Sequence, residues 1–242
     1  MAKFYIDAGH GGSDPGAVGG NWLKESAVNL AVAKHLKAEL IRNGHTVKMS
    51  RETDVYKTLK QRTDEANEWG ADFVVSLHCN SATTTTAQGT ETFVYKTSGS
   101  APKLAGCVQL QMVKAFGTKN RYVKEKNLAM VRDTKAPAIL CEMAFISNAS
   151  DRAKLTGEAN QKKWAVVICK GICDYLNIKY KGESVVALVK NDNTPDGYAK
   201  DAIAWAVSKG ILKGDGYGNY MLHKNVTRQD MLVFLYRAMN SK

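Results

Sequence analysis

Residues 3–17 read KFYIDAGHGGSDPGA, and this stretch decides the fold. Its first six residues are mostly apolar or aromatic, which predicts a buried β-strand over residues 2–8. The strand then breaks into a loop that contains four glycines and carries His10. Because functional side chains are often found on loops that a rigid sheet positions, partners of His10 are expected near the ends of other strands.

The candidate partners of His10 are two carboxylates and a second histidine. Glu25 lies where a helical pattern begins, and His78 ends the apolar run FVVSLH. Two imidazoles and a carboxylate at neighbouring strand ends would make a three-ligand zinc site with an open position. Glu142 ends a further apolar run, AILCE, and could serve as general base. Such a set is suited to metal-assisted hydrolysis of an amide.

Strand and helix patterns alternate along the first 180 residues. Strands are predicted at 2–8, 46–50, 71–77, 90–95 and 138–143, and helices at 25–42, 58–69, 102–116 and 161–176. This alternation predicts an α/β fold, a mainly parallel twisted sheet with helices on both faces. Beyond residue 180 two helical segments flank a glycine-rich turn at 214–218. We therefore expect a domain over residues 1–180 and a small, mostly helical C-terminal domain over residues 181–242.

Four local predictions complete the secondary structure. The basic stretch 119–126 is predicted to be a loop, and residues 128–132 a strand. Ser150 is expected to cap a short helix. His45 follows the turn that ends the first helix and is expected at the surface.

Composition limits the classes of function. The net charge of +11 suits a polyanionic partner such as nucleic acid, anionic lipid or a wall polymer. Neither an RNA-recognition aromatic pattern nor a paired-cysteine zinc-finger spacing is present, so no nucleic-acid partner is expected. No run of eighteen apolar residues occurs, so no membrane insertion is expected. The five cysteines lack a disulfide framework, and no signal peptide precedes the first strand, which indicates synthesis in the cytoplasm.

Four separate motifs resemble one family, the zinc-dependent N-acetylmuramoyl-L-alanine amidases of the amidase-3 type. In family order over about residues 1–180, they are DAGHGGSDPGA at 7–17, Glu25, SLHCNS at 76–81 and EMAFISN at 142–148. The resemblance implies that His10, Glu25 and His78 bind Zn²⁺. It also implies that Glu142 is the catalytic base, in hydrolysis of the bond between N-acetylmuramic acid and L-alanine of peptidoglycan.

The same resemblance covers two arginines. Arg51 and Arg62 match arginines of the family pattern, and we expect a structural role for both, through salt bridges or helix contacts. Arg121 and its lysine neighbours have two interpretations, a solvated charge run or a contact to anionic peptide stems or wall polymers.

The C-terminal segment is similar to an S-layer homology motif. It carries Ala-Ile-Ala-Trp-Ala at 202–206, Lys-Gly-Ile at 209–211, a glycine-rich turn, and Thr227-Arg228 before a helix in which Thr227 and Asp230 form a predicted capping box. The resemblance implies attachment to a secondary cell-wall polymer. A purely structural or dimerisation role for this segment is the alternative.

Two other functions compete with the amidase prediction. A zinc peptidase would cut within the stem peptide, and a wall-binding protein could keep the amidase fold without activity. The intact set of His10, Glu25, His78 and Glu142 argues against an inactive protein. The expected place of action is the bacterial cell wall, where the protein would act as a phage or prophage endolysin or as a cellular autolysin.

Overall fold

The computed structural model describes residues 1–182, 200–212 and 228–240. The chain divides into two compact units, Met1–Gly182 and Glu183–Lys242. The first unit contains, in chain order, β1 Lys3–Ala8, α1 Glu25–Arg42, β2 Thr46–Met49, α2 Leu59–Glu68, β3 Phe73–Asn80, β4 Thr90–Val94, α3 Ala101–Phe116, β5 Asn120–Glu125, α4 Ala129–Arg132, β6 Ala138–Phe145, α5 Ala149–Leu155 and α6 Glu158–Tyr175. A 3₁₀ turn at Gly20–Trp22 precedes α1.

The strands form one six-stranded sheet in the order β2-β1-β3-β6-β4-β5. Every neighbouring pair is parallel except β4 and β6, which are antiparallel. Parallel neighbours require crossover connections, and helices provide most of them. The predicted α/β class with a mainly parallel sheet is confirmed.

Helices cover both faces of the sheet. Successive residues of a strand point to opposite faces, so Phe4 and Ile6 of β1 join one buried cluster while Tyr5 joins another. The larger cluster packs the sheet against α1, α3 and α6, with Trp164 of α6 fully buried in it. The smaller cluster lies beneath α2 and α4 and includes Ala66 and Met130.

Three local predictions were wrong. The stretch 119–126 forms the edge strand β5 because it pairs with β4, a long-range contact that its polar composition does not reveal. Residues 128–132 form one helical turn, α4, since a short apolar run has no periodicity that separates helix from strand. The cap of α5 is Asn148, whose side chain accepts a hydrogen bond from the Asp151 N–H at 3.0 Å, and Ser150 lies inside the helix.

His45 was also predicted wrongly, because the turn after α1 folds it inward. Its relative exposure is 9%, and its ring packs edge-on against Phe4 with the centroids 5.0 Å apart. Neither ring nitrogen has a hydrogen-bond partner among the described residues. Burial, with a smaller effect from the N-terminal amine, lowers the pKa of His45 below its usual value.

The second unit is helical where it is described. It contains α7 Lys200–Ser208 and α8 Arg228–Asn240, in agreement with the predicted helical character. The Nη1 of Arg237 donates a hydrogen bond to the Ile211 carbonyl at 3.1 Å. The predicted glycine-rich turn at 214–218 and the predicted N-cap Thr227 lie outside the described residues. The assignment of residues 1–180 and 181–242 to separate catalytic and wall-binding roles stays a prediction.

A search of the described residues for a helix that could span a membrane finds none of sufficient length and apolar character.

The buried His45 predicts a pH dependence of stability. The unfolded chain takes up a proton on His45 near the ordinary pKa of about 6.5, whereas the folded protein resists protonation. The contribution of His45 to the free energy of unfolding is therefore complete above about pH 6.5 and is lost as the pH falls toward the folded-state pKa. In urea unfolding at about pH 7.5 and 5.5, His45→Leu should lose less stability between the two pH values than the parent. Equal losses would contradict this account of His45.

Candidate active site

The structure brings His10, Glu25 and His78 together at the carboxyl ends of β1 and β3. Each offers one ligand atom, and these atoms all lie within 4.8 Å of one another. Oε1 of Glu25 is 3.3 Å from His10 Nε2 and 2.9 Å from His78 Nδ1. The two rings stand edge to face with their centroids 4.9 Å apart. The parallel pairing of β1 with β3 makes this possible, because it places both strand ends at one edge of the sheet.

Glycines give the three side chains the room that they need. A Cβ atom added to Gly9 would lie 2.3 Å from His78 Cε1, so the His78 ring rests directly on the backbone of the loop. A Cβ at Gly16 would lie 2.7 Å from both Glu25 Oε2 and His10 Cδ2, in a backbone conformation with φ +65°. The glycines of this loop therefore allow the backbone to pack closely against His10, Glu25 and His78.

Neighbouring groups orient the ligand side chains. His10 Nδ1 is hydrogen-bonded to Asp14 Oδ2 at 2.7 Å. Glu25 accepts hydrogen bonds at 3.0 Å from the backbone N–H groups of Ala17 and Cys79. Such outer contacts fix ring orientation and ligand position in metal sites. Asp14 was not singled out from the sequence, although its position four residues after His10 in the same loop is a detectable pattern.

Two buried arginines hold the loop that carries His10. Arg62 forms an ion pair with Asp7 at 2.8 Å and donates to the His10 carbonyl at 2.7 Å. Arg51 donates to the carbonyls of Ala8 at 2.9 Å, Gly9 at 3.0 Å and Ser26 at 2.7 Å. His10 has a φ of 61°, a conformation uncommon for a residue with a side chain, and these bonds help to maintain it. The predicted structural role of both arginines is confirmed.

The close contacts among His10, Glu25 and His78 shift the pKa values of all three and favour their charged forms. A hydrogen bond with Glu25 is the main cause that raises the pKa of His10 to about 9. Burial acts against ionisation of Glu25, but hydrogen bonds from the two histidines outweigh it and lower the pKa of Glu25 well below its usual range. Burial acts to lower the pKa of His78, but the hydrogen bond with Glu25 and the negative charges of Glu142, Glu25 and Asp7 together raise it. A cation that binds here would replace the histidine protons as partner of Glu25.

Glu142 lies beside His78, and one oxygen of its carboxylate lacks a hydrogen bond in the described part of the chain. The two residues are directly paired across β3 and β6. Its Oε2 is buried and has no hydrogen-bond partner among the described residues. Burial is the main cause that raises the pKa of Glu142 to about 7, and the charges of Glu25 and Glu91 add to it against His78 and Lys126. A buried polar atom without a partner is unusual and marks Glu142 as a group available to a ligand.

Glu91 is a further buried carboxylate beside the site, and it was not predicted from the sequence. It is paired with Glu142 across β4 and β6, and its relative exposure is 4%. Its charge is compensated by Asn80, Arg121 and Lys124. A charged residue within TETFV, a strand buried at every position, is the pattern that could have revealed it.

The donor set fits a divalent metal ion such as zinc. Zinc accepts imidazole nitrogen and carboxylate oxygen at ~2.0–2.2 Å, and a tetrahedral site therefore needs ligand atoms roughly 3.3 Å apart. The distances of 3.3 and 2.9 Å from Glu25 to the two histidines are close to that spacing. Together with the Glu142 oxygen that has no hydrogen-bond partner in the described part of the chain, the arrangement is that of a metal-assisted hydrolase.

Comparison with known proteins defines the family. The family model described as N-acetylmuramoyl-L-alanine amidase matches residues 4–174, and that of the S-layer homology domain matches residues 192–232. The chain belongs to the N-acetylmuramoyl-L-alanine amidase family. The predicted enzyme class and the predicted activity, amide hydrolysis in peptidoglycan, are thereby confirmed, as is the resemblance of the C-terminal segment to S-layer homology domains.

Individual relatives agree with this assignment. A sporulation-specific N-acetylmuramoyl-L-alanine amidase of Bacillus subtilis is 36% identical over 188 residues, covering 76% of this chain and 72% of the relative. An endolysin of Bacillus phage SPP1 is 34% identical over 220 residues, covering 82% and 79%. The solved catalytic domain of CwlV, an N-acetylmuramoyl-L-alanine amidase from Bacillus (Paenibacillus) polymyxa var. colistinus, superposes with a TM-score of 0.70 at 34% identity. That match covers 74% of this chain and all of the solved one.

Proposed function

We propose that the chain hydrolyses the amide bond between N-acetylmuramic acid and L-alanine with a zinc ion held by His10, Glu25 and His78. One observation carries the proposal: the ligand atoms of these residues cluster beside a buried carboxylate oxygen of Glu142 that has no hydrogen-bond partner among the described residues. If Glu142 had only a structural role, burial of this oxygen without a hydrogen bond would destabilise the fold with no compensating function.

The three ligand residues supply two nitrogen donors and one oxygen donor. A zinc ion with three protein ligands lowers the pKa of bound water to around 7 and polarises a carbonyl group. Glu25 contributes the negative charge, and its backbone hydrogen bonds keep its oxygens in place. Asp14 would hold His10 in the tautomer that leaves Nε2 free for a metal.

Glu142 would move the protons of the reaction. As a carboxylate it accepts a proton from the attacking water, whose oxygen forms the new bond to the lactyl carbonyl carbon. It then gives a proton to the alanine nitrogen as the C–N bond breaks. Burial supports this role, because a pKa near 7 suits a group that both accepts and returns a proton near neutral pH.

The C-terminal segment would hold the enzyme on its substrate. An S-layer homology segment after an amidase domain suits attachment to a secondary wall polymer, and the net charge of +11 suits an anionic one. Attachment raises the local substrate concentration without adding a catalytic group. Action at the bacterial cell wall follows, as an endolysin or an autolysin.

Removal of the Glu142 carboxylate tests the catalytic proposal. Glu142→Gln keeps the side-chain shape but cannot accept a proton, so hydrolysis should fall by at least about a thousandfold. Zinc content and wall binding should be unchanged. The assay follows release of peptides with N-terminal alanine and of reducing sugar from purified peptidoglycan. Glu68→Gln, at an exposed position of α2, is the matched control and should be fully active.

The same assay separates the competing functions. A muramoyl amidase releases N-terminal alanine without new reducing sugar, whereas a stem peptidase would release other amino termini. No products from a protein that still binds walls would favour the inactive binding protein. If Glu142→Gln hydrolyses like the parent, the assignment of Glu142 as the base is wrong.

Truncation tests the C-terminal segment. The shortened protein should end at Gly182, because Asn43 is hydrogen-bonded to the backbone of Lys181 at 2.7 and 3.1 Å. We expect it to hydrolyse soluble muropeptides like the complete chain but to bind whole walls at least about tenfold more weakly, since one attachment is lost. Sedimentation with walls measures binding, with Glu142→Gln in both proteins so that the walls stay intact.

Equal sedimentation of the two proteins would reject the wall-binding role of the segment. Weaker binding together with a change from dimer to monomer would favour the dimerisation alternative.

A further inference from the structure

A row of charged side chains continues across the sheet from the candidate metal ligands. His78 pairs with Glu142, and Glu142 pairs with Glu91. Directly opposed residues of neighbouring strands project from the same face, so these three lie side by side at one level of the sheet. β5 follows β4 at the edge, and it contributes Arg121 and Lys124 to the end of the row.

Both cations bind the same buried oxygen. Arg121 Nε is 3.1 Å and Lys124 Nζ is 2.6 Å from Oε2 of Glu91. Glu91 also accepts a hydrogen bond from Asn80 Nδ2, at 2.5 Å on Oε1. Burial opposes ionisation of Glu91, but its bonds to Lys124 and Arg121 outweigh burial and lower its pKa. Glu91 is therefore a carboxylate that fixes two cations in place.

A β-bulge makes this arrangement possible. In a regular strand, residues three apart point to opposite faces of the sheet. Arg121 and Lys124 could therefore not both reach Glu91 if β5 were regular. Thr90 pairs with Asn120 but Thr92 pairs with Val123, so β5 contains one extra residue here. Tyr122 takes a φ of 68° at that point. The bulge reorients the strand and brings both cations to one face, as bulges near active sites commonly do.

The group formed by Glu91, Arg121 and Lys124 could bind an additional anion. Two cations face one carboxylate, which leaves a net charge of +1 beside Glu142. The side chains of Arg121 and Lys124 are 31% and 42% exposed, so their ends reach solvent. Arg121 uses only Nε toward Glu91, and its Nη groups donate no hydrogen bond within the described residues. A guanidinium group fixed by Nε and by the Phe145 ring, 5.0 Å away, is preorganised to bind a carboxylate.

The distance from Glu142 identifies the carboxylate. Strands lie ~4.8 Å apart, so β4 is roughly 5 Å and β5 roughly 10 Å from β6. The cationic ends of Arg121 and Lys124 contact Glu91 of β4 and therefore lie between these two distances from β6. An extended peptide advances at most ~3.6 Å per residue, so two residues beyond the scissile bond span roughly 7 Å, which falls within this range. We propose that Arg121 and Lys124 bind the carboxylate of the second residue of the peptide that is cut from the sugar. This inference rests on the proposed function.

The test compares two soluble muramoyl tripeptides that differ only at the second stem residue, which carries a carboxylate in one and a carboxamide in the other. The parent should cleave the carboxylate substrate with at least about tenfold higher kcat/KM, through a lower KM, because a charge-assisted hydrogen bond is lost in the amide. Arg121→Met should remove most of this preference, because cleavage of the carboxylate substrate should fall much more than cleavage of the amide substrate. Lys124→Met should reduce it in the same direction.

Arg132→Met is the matched control. Arg132 is an exposed arginine that is paired with Asp133 outside this row, so its loss should keep the preference of the parent. Each single substitution in the row leaves Glu91 with one cation, so the fold should be preserved, and thermal unfolding checks this. Arg121→Met with Glu91→Gln is a second variant without a buried unpaired charge, and it should likewise lose the preference.

Three outcomes would overturn the proposal. The first is equal cleavage of the two substrates by the parent, and the second is a similar loss of kcat/KM on both substrates in Arg121→Met. The third is stronger competition by a wall-type polyphosphate than by the carboxylate tripeptide. The second would make Arg121 a positioning residue for Glu142. Calorimetric binding of the two free tripeptides does not depend on hydrolysis. A carboxylate preference in binding, without cleavage of either substrate, would uphold the inference and reject the proposed function.

Discussion

Burial of the Glu25 carboxylate is the constraint on which the rest of the structure depends. Glu25 is 4% exposed at the first residue of α1, and an unpaired charge there would be strongly destabilising. It is compensated by His10, His78 and the N–H groups of Ala17 and Cys79. The loop after β1, the start of α1 and the end of β3 must therefore meet at one point. The same convergence provides the donor set for a metal.

Stability and function make opposite demands on the three glutamates of this region, Glu25, Glu91 and Glu142. The charges of Glu25 and Glu91 are fully partnered, and both have lowered pKa values. Oε2 of Glu142 has no hydrogen-bond partner in the part of the chain that the structure describes, and the pKa of Glu142 is raised to about 7. Two of these three carboxylates are thus stabilised as charged groups, and Glu142 is not. The one left unsatisfied is the one that the proposed chemistry requires to exchange protons.

The sequence predicted whatever depends on local periodicity and chain order. Alternating strands and helices gave the α/β class, and strand ends gave the positions of His10, His78 and Glu142, which the structure brings together. What depends on long-range pairing was not predicted. β5 is polar and forms only against β4, and Glu91 acquires its role only beside Glu142.

The packing of His78 on Gly9 gives the most direct test of the central claim, that backbone approach at the strand ends creates the metal site. Gly9→Ala would place a methyl group 2.3 Å from the His78 ring, whereas a methyl group at Gly106 of α3 meets no described atom within 4 Å outside its own helix. Calorimetric titration with Zn²⁺ should show affinity at least about tenfold weaker for Gly9→Ala and unchanged for Gly106→Ala. Equal affinity in both folded variants would contradict the account.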